Sequence, residues 1–312
     1  MSIFSMSQLD QSKGRSMKLL QLMRPKHWTK NVFLFAALVF GQKLTDPVAV
    51  GRAVGGFICF CLAASAVYIF NDIIDRQADR LHPEKRNRPL AAGTVGVGLA
   101  AVASMLCAAA ALAGSLVLGR SFAAIVLAYI VLVIVYTLLL KRVLILDCVV
   151  ISVGFCLRAM AGAEAVGVFI SPWLIVCTFA LCLFLAFSKR FTELTQLGED
   201  SESFRKTLGG YTPDLLAHMV DVTSGLAVVC FLLYAMDERT LRLFGTNNLV
   251  YTTPFVLYCV FRFSASMQKG GYSDPVQLIL SDWPFQIGFV LWVLACVGIV
   301  YSDKLGIGVG GV

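Results

Sequence analysis

Charge is scarce in this chain. Asp, Glu, Lys and Arg make up 14% of its 312 residues, while 58% are hydrophobic and the mean hydropathy is +0.79. That balance excludes a water-soluble domain with one apolar core and is the composition of a polytopic membrane protein. The three histidines, His27, His82 and His218, are too scattered to form a metal cluster. The ten cysteines form no CxxC pair and sit in or beside apolar stretches, which argues for small reduced core residues and against a disulfide framework or a zinc site. A phosphate-binding Walker loop, a dinucleotide fingerprint and a serine-nucleophile elbow are all missing. The first sixteen residues are polar and have no apolar h-region, so no cleavable signal peptide is expected.

What is present is a series of nine apolar stretches: Val32–Phe40, Ala53–Phe70, Val97–Leu118, Phe122–Leu140, Leu144–Val166, Pro172–Phe187, Leu215–Met236, Leu249–Phe263 and Phe285–Tyr301. The expected fold is all-α, with about nine transmembrane helices bundled around a cytoplasm-facing polar cavity. Residues 1–20 form a polar tail and 21–312 a single transmembrane domain. Lys18–Trp28, with leucines among basic residues, reads as a short helix lying at the interface. Nineteen of the 26 basic residues fall on the side of the N-terminus if every stretch crosses, six fall on the other, and Arg158 lies inside a stretch. The positive-inside rule makes the basic side cytoplasmic in a bacterial-type inner membrane. The net charge of +7 resides mainly there, where it suits anionic lipid or a phosphorylated substrate, with nothing to suggest nucleic acid.

The densest chemistry follows the second stretch. At about 100° per residue, Asn71, Asp72, Asp75 and Asp79 fall within roughly a 100° arc of one helix. Three carboxylates so placed repel one another unless a cation joins them. Oxygen ligands of this kind suit Mg²⁺, which takes one or two carboxylates and completes its shell with water and substrate phosphates. Arg76, Arg80, Lys85, Arg86 and Arg88 follow closely and suit a polyanion. A solvated charged loop is the plainer alternative.

Three other places stand out. Lys26 and Lys30 are one helical turn apart ahead of the first stretch, after Pro25, a residue suited to a helix start. They serve equally as positive-inside markers. Lys189, Arg190 and Glu193 end the sixth stretch, where Lys189–Glu193 is either a surface pair or part of a phosphate grip with Arg190 as a fork. Arg158, a charge within an apolar stretch, needs a polar cavity or a partner. Asp147 is one candidate partner; the other candidate position for Asp147 is the mouth of the span, near Lys141 and Arg142.

The Asn-Asp-x-x-Asp-x-x-x-Asp end of the second stretch and the nine-stretch layout resemble the UbiA family of intramembrane prenyltransferases. The second motif, Ser188 through Leu194, is basic where most of that family is acidic. With Leu22–Asn31, Val67–Asp72, Asp79–Pro89, Leu157–Ala159, Lys189–Leu194 and Tyr211-Thr212, the chain looks like the decaprenyl-phosphate phosphoribosyltransferase branch. That resemblance implies transfer of 5-phosphoribose from phosphoribosyl pyrophosphate to a long polyprenyl phosphate, a step toward a lipid-linked pentose donor, with Mg²⁺ as cofactor and a homo-oligomer as a plausible assembly. It implies Asp72, Asp75 and Asp79 as catalytic groups and, with Asn71, as metal ligands. Substrate would be held by Lys26, Lys30, Tyr68, Asn71, Lys85, Arg86, Arg88, Lys141, Arg142, Arg158, Lys189, Arg190 and Glu193. The competing readings are a prenyltransferase using an isoprenyl diphosphate and a small acceptor, and a transporter whose charges line a pathway.

Overall fold

The structure, a computed structural model, describes residues 17–81, 85–197, 207–269, 272 and 275–301. Most of the polar tail therefore lies outside the described residues, as do His82–Glu84 of the basic motif. No strand occurs among the described residues. The helices used below are α1 (Pro47–Ile74), α2 (Arg76–Leu81), α3 (Val97–Leu118), α4 (Arg120–Leu138), α5 (Leu146–Val166), α6 (Pro172–Leu197), α7 (Pro213–Met236), α8 (Thr253–Gln268) and α9 (Trp283–Val300). Seven of them, all but α2 and α8, are long and apolar enough to cross a membrane.

The expected count of nine is thus not met by length. The first stretch begins inside a 3₁₀ helix, Pro25–Phe35, that starts seven residues ahead of it, and ends in five α-helical residues, Ala36–Phe40. The eighth is a 3₁₀ turn, Asn248–Thr252, followed by the 16 residues of α8. Hydropathy counts apolar residues but does not register how they are wound. Residues 17–23 are helical, and the chain then turns at Arg24, so the expected interface helix ends before Trp28.

Helix starts repeat one device. Asp46 accepts from the Val48 and Ala49 N–H groups ahead of α1, with Pro47 at its start. Thr212 accepts from the Leu215 N–H ahead of α7, with Pro213 next. Asp282 accepts from the Phe285 N–H ahead of α9. Each side-chain oxygen satisfies a donor that the first turn leaves open, and proline loses nothing there because its missing N–H would have had no partner.

The chain divides into two compact units. The first comprises residues 1–36, 46–140 and 157–167. Here α1 packs on α3 and α4. The Pro25–Phe35 segment runs antiparallel along α1: Arg24 meets Asp72, Trp28 meets Ser65, Asn31 meets Cys61, and Phe35 stacks on Phe57. A 3₁₀ helix rises about 2.0 Å per residue against 1.5 Å for an α-helix, so eleven residues keep pace with fifteen, roughly 22 Å of α1. Gly162 sits against the backbone of Leu34, where a Cβ would collide with the carbonyl oxygen. Arg52 donates to the Leu118 carbonyl at 2.8 Å and to the Ala165 carbonyl at 2.5 Å, closing the ends of α3 and α5.

The second unit comprises residues 37–45, 141–156 and 168–312. Its core is the α6–α7 pair, with Phe184 against Phe263 of α8 and Phe263 against Phe285 of α9. Between α8 and α9, Asp282 takes a bidentate grip from Arg262, at 3.1 and 2.9 Å, and further bonds from Ser266 and Tyr272.

Candidate functional site

In the first unit an apolar cluster aims the polar groups. Leu22, Ile69 and Leu90 are fully buried together with Val95 and Ala100. Leu22 lies two residues before Arg24, Ile69 three before Asp72, and Leu90 two after Arg88, so burying three leucine-type side chains delivers one carboxylate and two guanidiniums to the same place. Arg76 and Arg80 reinforce this by donating to the Leu90 and Ala91 carbonyls at 3.2 and 3.0 Å. Those two arginines of the basic run therefore hold the loop.

The acidic residues do not lie on one unbroken helix. Asp75 ends α1 and separates it from α2. The hydrogen-bond ladder nevertheless continues, from the Asp75 N–H to the Asn71 carbonyl at 2.9 Å and from the Asp79 N–H to the Asp75 carbonyl at 2.8 Å. The backbone path is therefore continuous through the break, while among the side chains it is Asp72 and Asp79 that meet on a common partner. Asp72 and Asp79 are buried; Asn71 and Asp75 are half-buried.

Arg24 donates to Asp72 Oδ1. One Arg88 nitrogen, Nη1, lies 3.3 Å from the same Asp72 oxygen and 2.7 Å from Asp79 Oδ2. The two carboxylates thus face a common point that a cation already occupies. Arg24 itself has φ 52°, a left-handed conformation that costs a non-glycine residue roughly 1–2 kcal/mol. Its guanidinium lies 5.5 Å from the Tyr68 ring, whose other neighbour is His27 at 5.4 Å. Nothing in residue spacing announces the Arg24–Asp72 contact, which spans 48 positions. Among the other expected substrate groups of this unit, Lys26 and Arg86 are exposed, and Lys30 and Lys85 half-buried.

The donor set suits a hard divalent ion. Two convergent carboxylates with an asparagine and a third aspartate nearby match what Mg²⁺ takes from a protein when phosphates supply the rest. Among the described residues no group of three His, Cys, Asp or Glu side chains is arranged to hold a metal ion, so the three expected aspartates are not gathered as one ligand set, and phosphate oxygens and water would have to complete a shell begun by Asp72 and Asp79.

Deeper in the same unit, Arg158 is buried and donates to Asn31 Oδ1 at 2.8 Å and to the Tyr129 hydroxyl at 2.9 Å. Its guanidinium carbon stands 4.7 Å from the Tyr129 ring centre. A buried arginine asks for polar partners, but only the fold shows that Asn31 and Tyr129 supply them.

Asp147, the pairing candidate for Arg158, is bonded within the second unit. It lies 3.5 Å from Arg190 Nε and accepts from the Tyr211 hydroxyl at 3.2 Å. That hydroxyl in turn accepts from the Ile145 N–H at 2.9 Å. Burial, with the neighbouring Cys148 and Asp147, pushes the Tyr211 hydroxyl above its ordinary value and keeps it protonated as a donor. Arg190 also pairs with Glu193. Arg190 is only 4% exposed, whereas Lys189, 4.0 Å from Glu193, is 43% exposed. The basic helix end is thus one buried strut beside one accessible ammonium. Lys141 is half-buried and Arg142 exposed at the edge of this unit.

The chain is similar to known proteins along most of its length. The chain is 32% identical over 293 residues to decaprenyl-phosphate phosphoribosyltransferase of Corynebacterium glutamicum, covering 91% of this chain and 86% of that one. It is 33% identical over 286 residues to the enzyme of the same name from Mycolicibacterium smegmatis, covering 88% and 90%. A UbiA homolog from Archaeoglobus fulgidus, solved with GPP and Mg²⁺, superposes with a TM-score of 0.69 at 21% identity, over 91% of this chain and 99% of the other. The UbiA prenyltransferase family profile matches residues 31–279, through both units and both polar constellations, and the chain belongs to that family.

Proposed function

We propose that the protein is a membrane pentosyltransferase that moves 5-phosphoribose from phosphoribosyl pyrophosphate to a long polyprenyl phosphate and releases pyrophosphate. The observation that carries this reading is the similarity to two phosphoribosyltransferases along about nine tenths of the chain. The site chemistry supports it. The acceptor phosphate is ionised at neutral pH, so it can attack C1 of the donor without a general base, and no strong base stands among the site residues. The C1–O bond to pyrophosphate breaks as the new C1–O bond forms, with inversion at C1 and with the electron pair leaving on pyrophosphate.

Asn71, Asp72, Asp75 and Asp79 would hold Mg²⁺, which when bound supplies positive charge to the departing pyrophosphate. Arg24 and Arg88 stand beside those carboxylates and are placed to take pyrophosphate oxygens as forks. Lys26, Lys30, Lys85 and Arg86 add positive charge in the same unit. In the second unit Arg190, committed to Asp147 and Glu193, positions its helix end, with the accessible Lys189 beside it. Arg158 holds Asn31 and Tyr129 in place. The N-terminus and the acidic site face the cytoplasm in this reading, where a soluble anionic donor is available.

The test is incubation of purified protein with Mg²⁺, labelled phosphoribosyl pyrophosphate and a polyprenyl phosphate. Label entering the organic phase is the expected result. Transfer only from an isoprenyl diphosphate to a small acceptor would replace this reading with the prenyltransferase one.

A further inference from the structure

Two positive charges lie against the two buried carboxylates, and both reach the same oxygen. Arg24 and Arg88 converge on Asp72 Oδ1, and Arg88 Nη1 continues to Asp79 Oδ2. Asp72 and Asp79 contribute two negative charges, so in the absence of metal the four side chains are neutral as a group. A divalent cation carries the same charge as the two guanidiniums. The point that Arg88 Nη1 occupies, within reach of both carboxylates, is where an ion shared by them would be drawn. Ion and guanidinium cannot both occupy it.

We infer that Arg88, assisted by Arg24, is a resident stand-in for the metal: it holds Asp72 and Asp79 together while the site is metal-free, is displaced when the divalent ion arrives with the donor, and turns to the donor's pyrophosphate oxygens. The exchange keeps every charge paired at each stage, which matters because an unpaired charge in a buried site is costly. Side-chain exposure is graded in the order such an exchange needs. The Arg88 side chain is 28% exposed and that of Arg24 19%, against 3% for Asp72 and 7% for Asp79. The carboxylates are enclosed, and the two arginine side chains are partly open to solvent. The backbone beneath Arg88 is held by Leu90 and by the Arg76 and Arg80 contacts, so a side-chain rotation suffices.

The consequence is coupling. Metal alone must displace a guanidinium and leave it without a partner, so it binds weakly. Metal with a pyrophosphate group gives that guanidinium a new anion, so the two bind together, and by linkage each raises the affinity of the other. This inference rests on the proposed assignment of metal to Asp72 and Asp79, but not on the identity of the group carried by the pyrophosphate.

The test uses Mn²⁺ as probe, with free Mn²⁺ followed by electron paramagnetic resonance over purified full-length protein in detergent, without and with inorganic pyrophosphate. In Arg88→Gln the competing cation is gone, and Mn²⁺ alone should bind about tenfold more tightly than in the unaltered protein. Pyrophosphate should raise Mn²⁺ affinity much less in the variant than in the unaltered protein. Arg88→Lys keeps one charge without the fork and should fall between, which provides the comparison if the glutamine variant does not fold. Mn²⁺ binding that is unchanged or weaker in a folded Arg88 variant would overturn the exchange. Asp72→Asn and Asp79→Asn separate this from the larger reading: if they abolish Mn²⁺ binding while Arg88→Gln fails to tighten it, only the exchange is wrong. If they leave Mn²⁺ binding untouched, the metal assignment falls and takes the exchange with it.

Discussion

At the scale of single residues, burial separates the three aspartates that the sequence treats alike. Asp72 and Asp79 face a shared cation in a buried setting, whereas Asp75, at the break between two helices, is half-buried. Asp72→Asn and Asp79→Asn should each lower turnover by at least about a hundredfold with donor and Mg²⁺ saturating if, as proposed, each is a ligand to the charge that stabilises the leaving group. Asp75→Asn should lose distinctly less. Initial rates for the three variants check the order, and equal losses would put Asp75 on the same footing as the others. The sequence made the aspartates legible because their spacing is local. Arg24–Asp72, Arg158–Tyr129 and Asp147–Arg190 were not legible, because each joins positions between 29 and 48 residues apart and depends on which helices become neighbours. The reading that Arg158 and Asp147 balance each other fell to the same limit: both are buried charges, but each found its partners elsewhere.

At the scale of elements, the seven long helices follow the apolar stretches closely, since a run of about twenty apolar residues has few other ways to satisfy its backbone in lipid. The winding of the first stretch was not visible, because 3₁₀ geometry leaves no compositional mark. Its close approach to α5 does have a sequence cause, Gly162. Gly162→Ala would place a methyl group against the Leu34 backbone and should lower the thermal unfolding midpoint in detergent, at a cost of roughly 1–3 kcal/mol, since backbone cannot yield as a side-chain tip can. Arg158 lies one turn from Gly162 and Asn31 one turn from Leu34, so the same change should loosen the Arg158–Asn31 contact. A second element shows a pH dependence. Burial alone would raise the Asp282 carboxyl, but the Arg262 guanidinium, the Phe285 N–H and the Ser266 hydroxyl hold it down, from 3.8 to about 2. Its contribution to joining α8 and α9 is therefore present above about pH 4 and is lost as pH falls from there toward 2. Unfolding midpoints of the unaltered protein and Asp282→Asn should lie well apart at pH 7 and draw together below pH 3; a gap that does not change with pH would mean that the ionised carboxylate is not what joins them.

At the scale of the whole molecule, the distribution of basic residues and the number of crossings constrain each other. If the first apolar stretch did not cross, Arg76–Arg88 would lie opposite the six basic residues that precede it, and the asymmetry of nineteen to six would dissolve. The structure of the first unit bears on this directly. Arg24 touches Asp72 near the end of α1, and the following eleven residues travel back along α1 as far as Phe57, so Arg24 and the acidic site share one end while the return path runs beside a helix of membrane-spanning length. That 3₁₀ path of roughly 22 Å begins with the polar residues Lys26, His27, Lys30 and Asn31 and takes in only Val32–Phe35 of the apolar stretch, so the run beside α1 is longer than the apolar residues alone would suggest. Topology reporters test this. Alkaline phosphatase joined after Arg120 or after Arg239 should be active, as expected outside the cytoplasm, and joined after Arg86 or after Arg142 it should be inactive. Activity after Arg86 together with inactivity after Arg120 would remove the first crossing and reverse the side on which the acidic site meets its soluble donor.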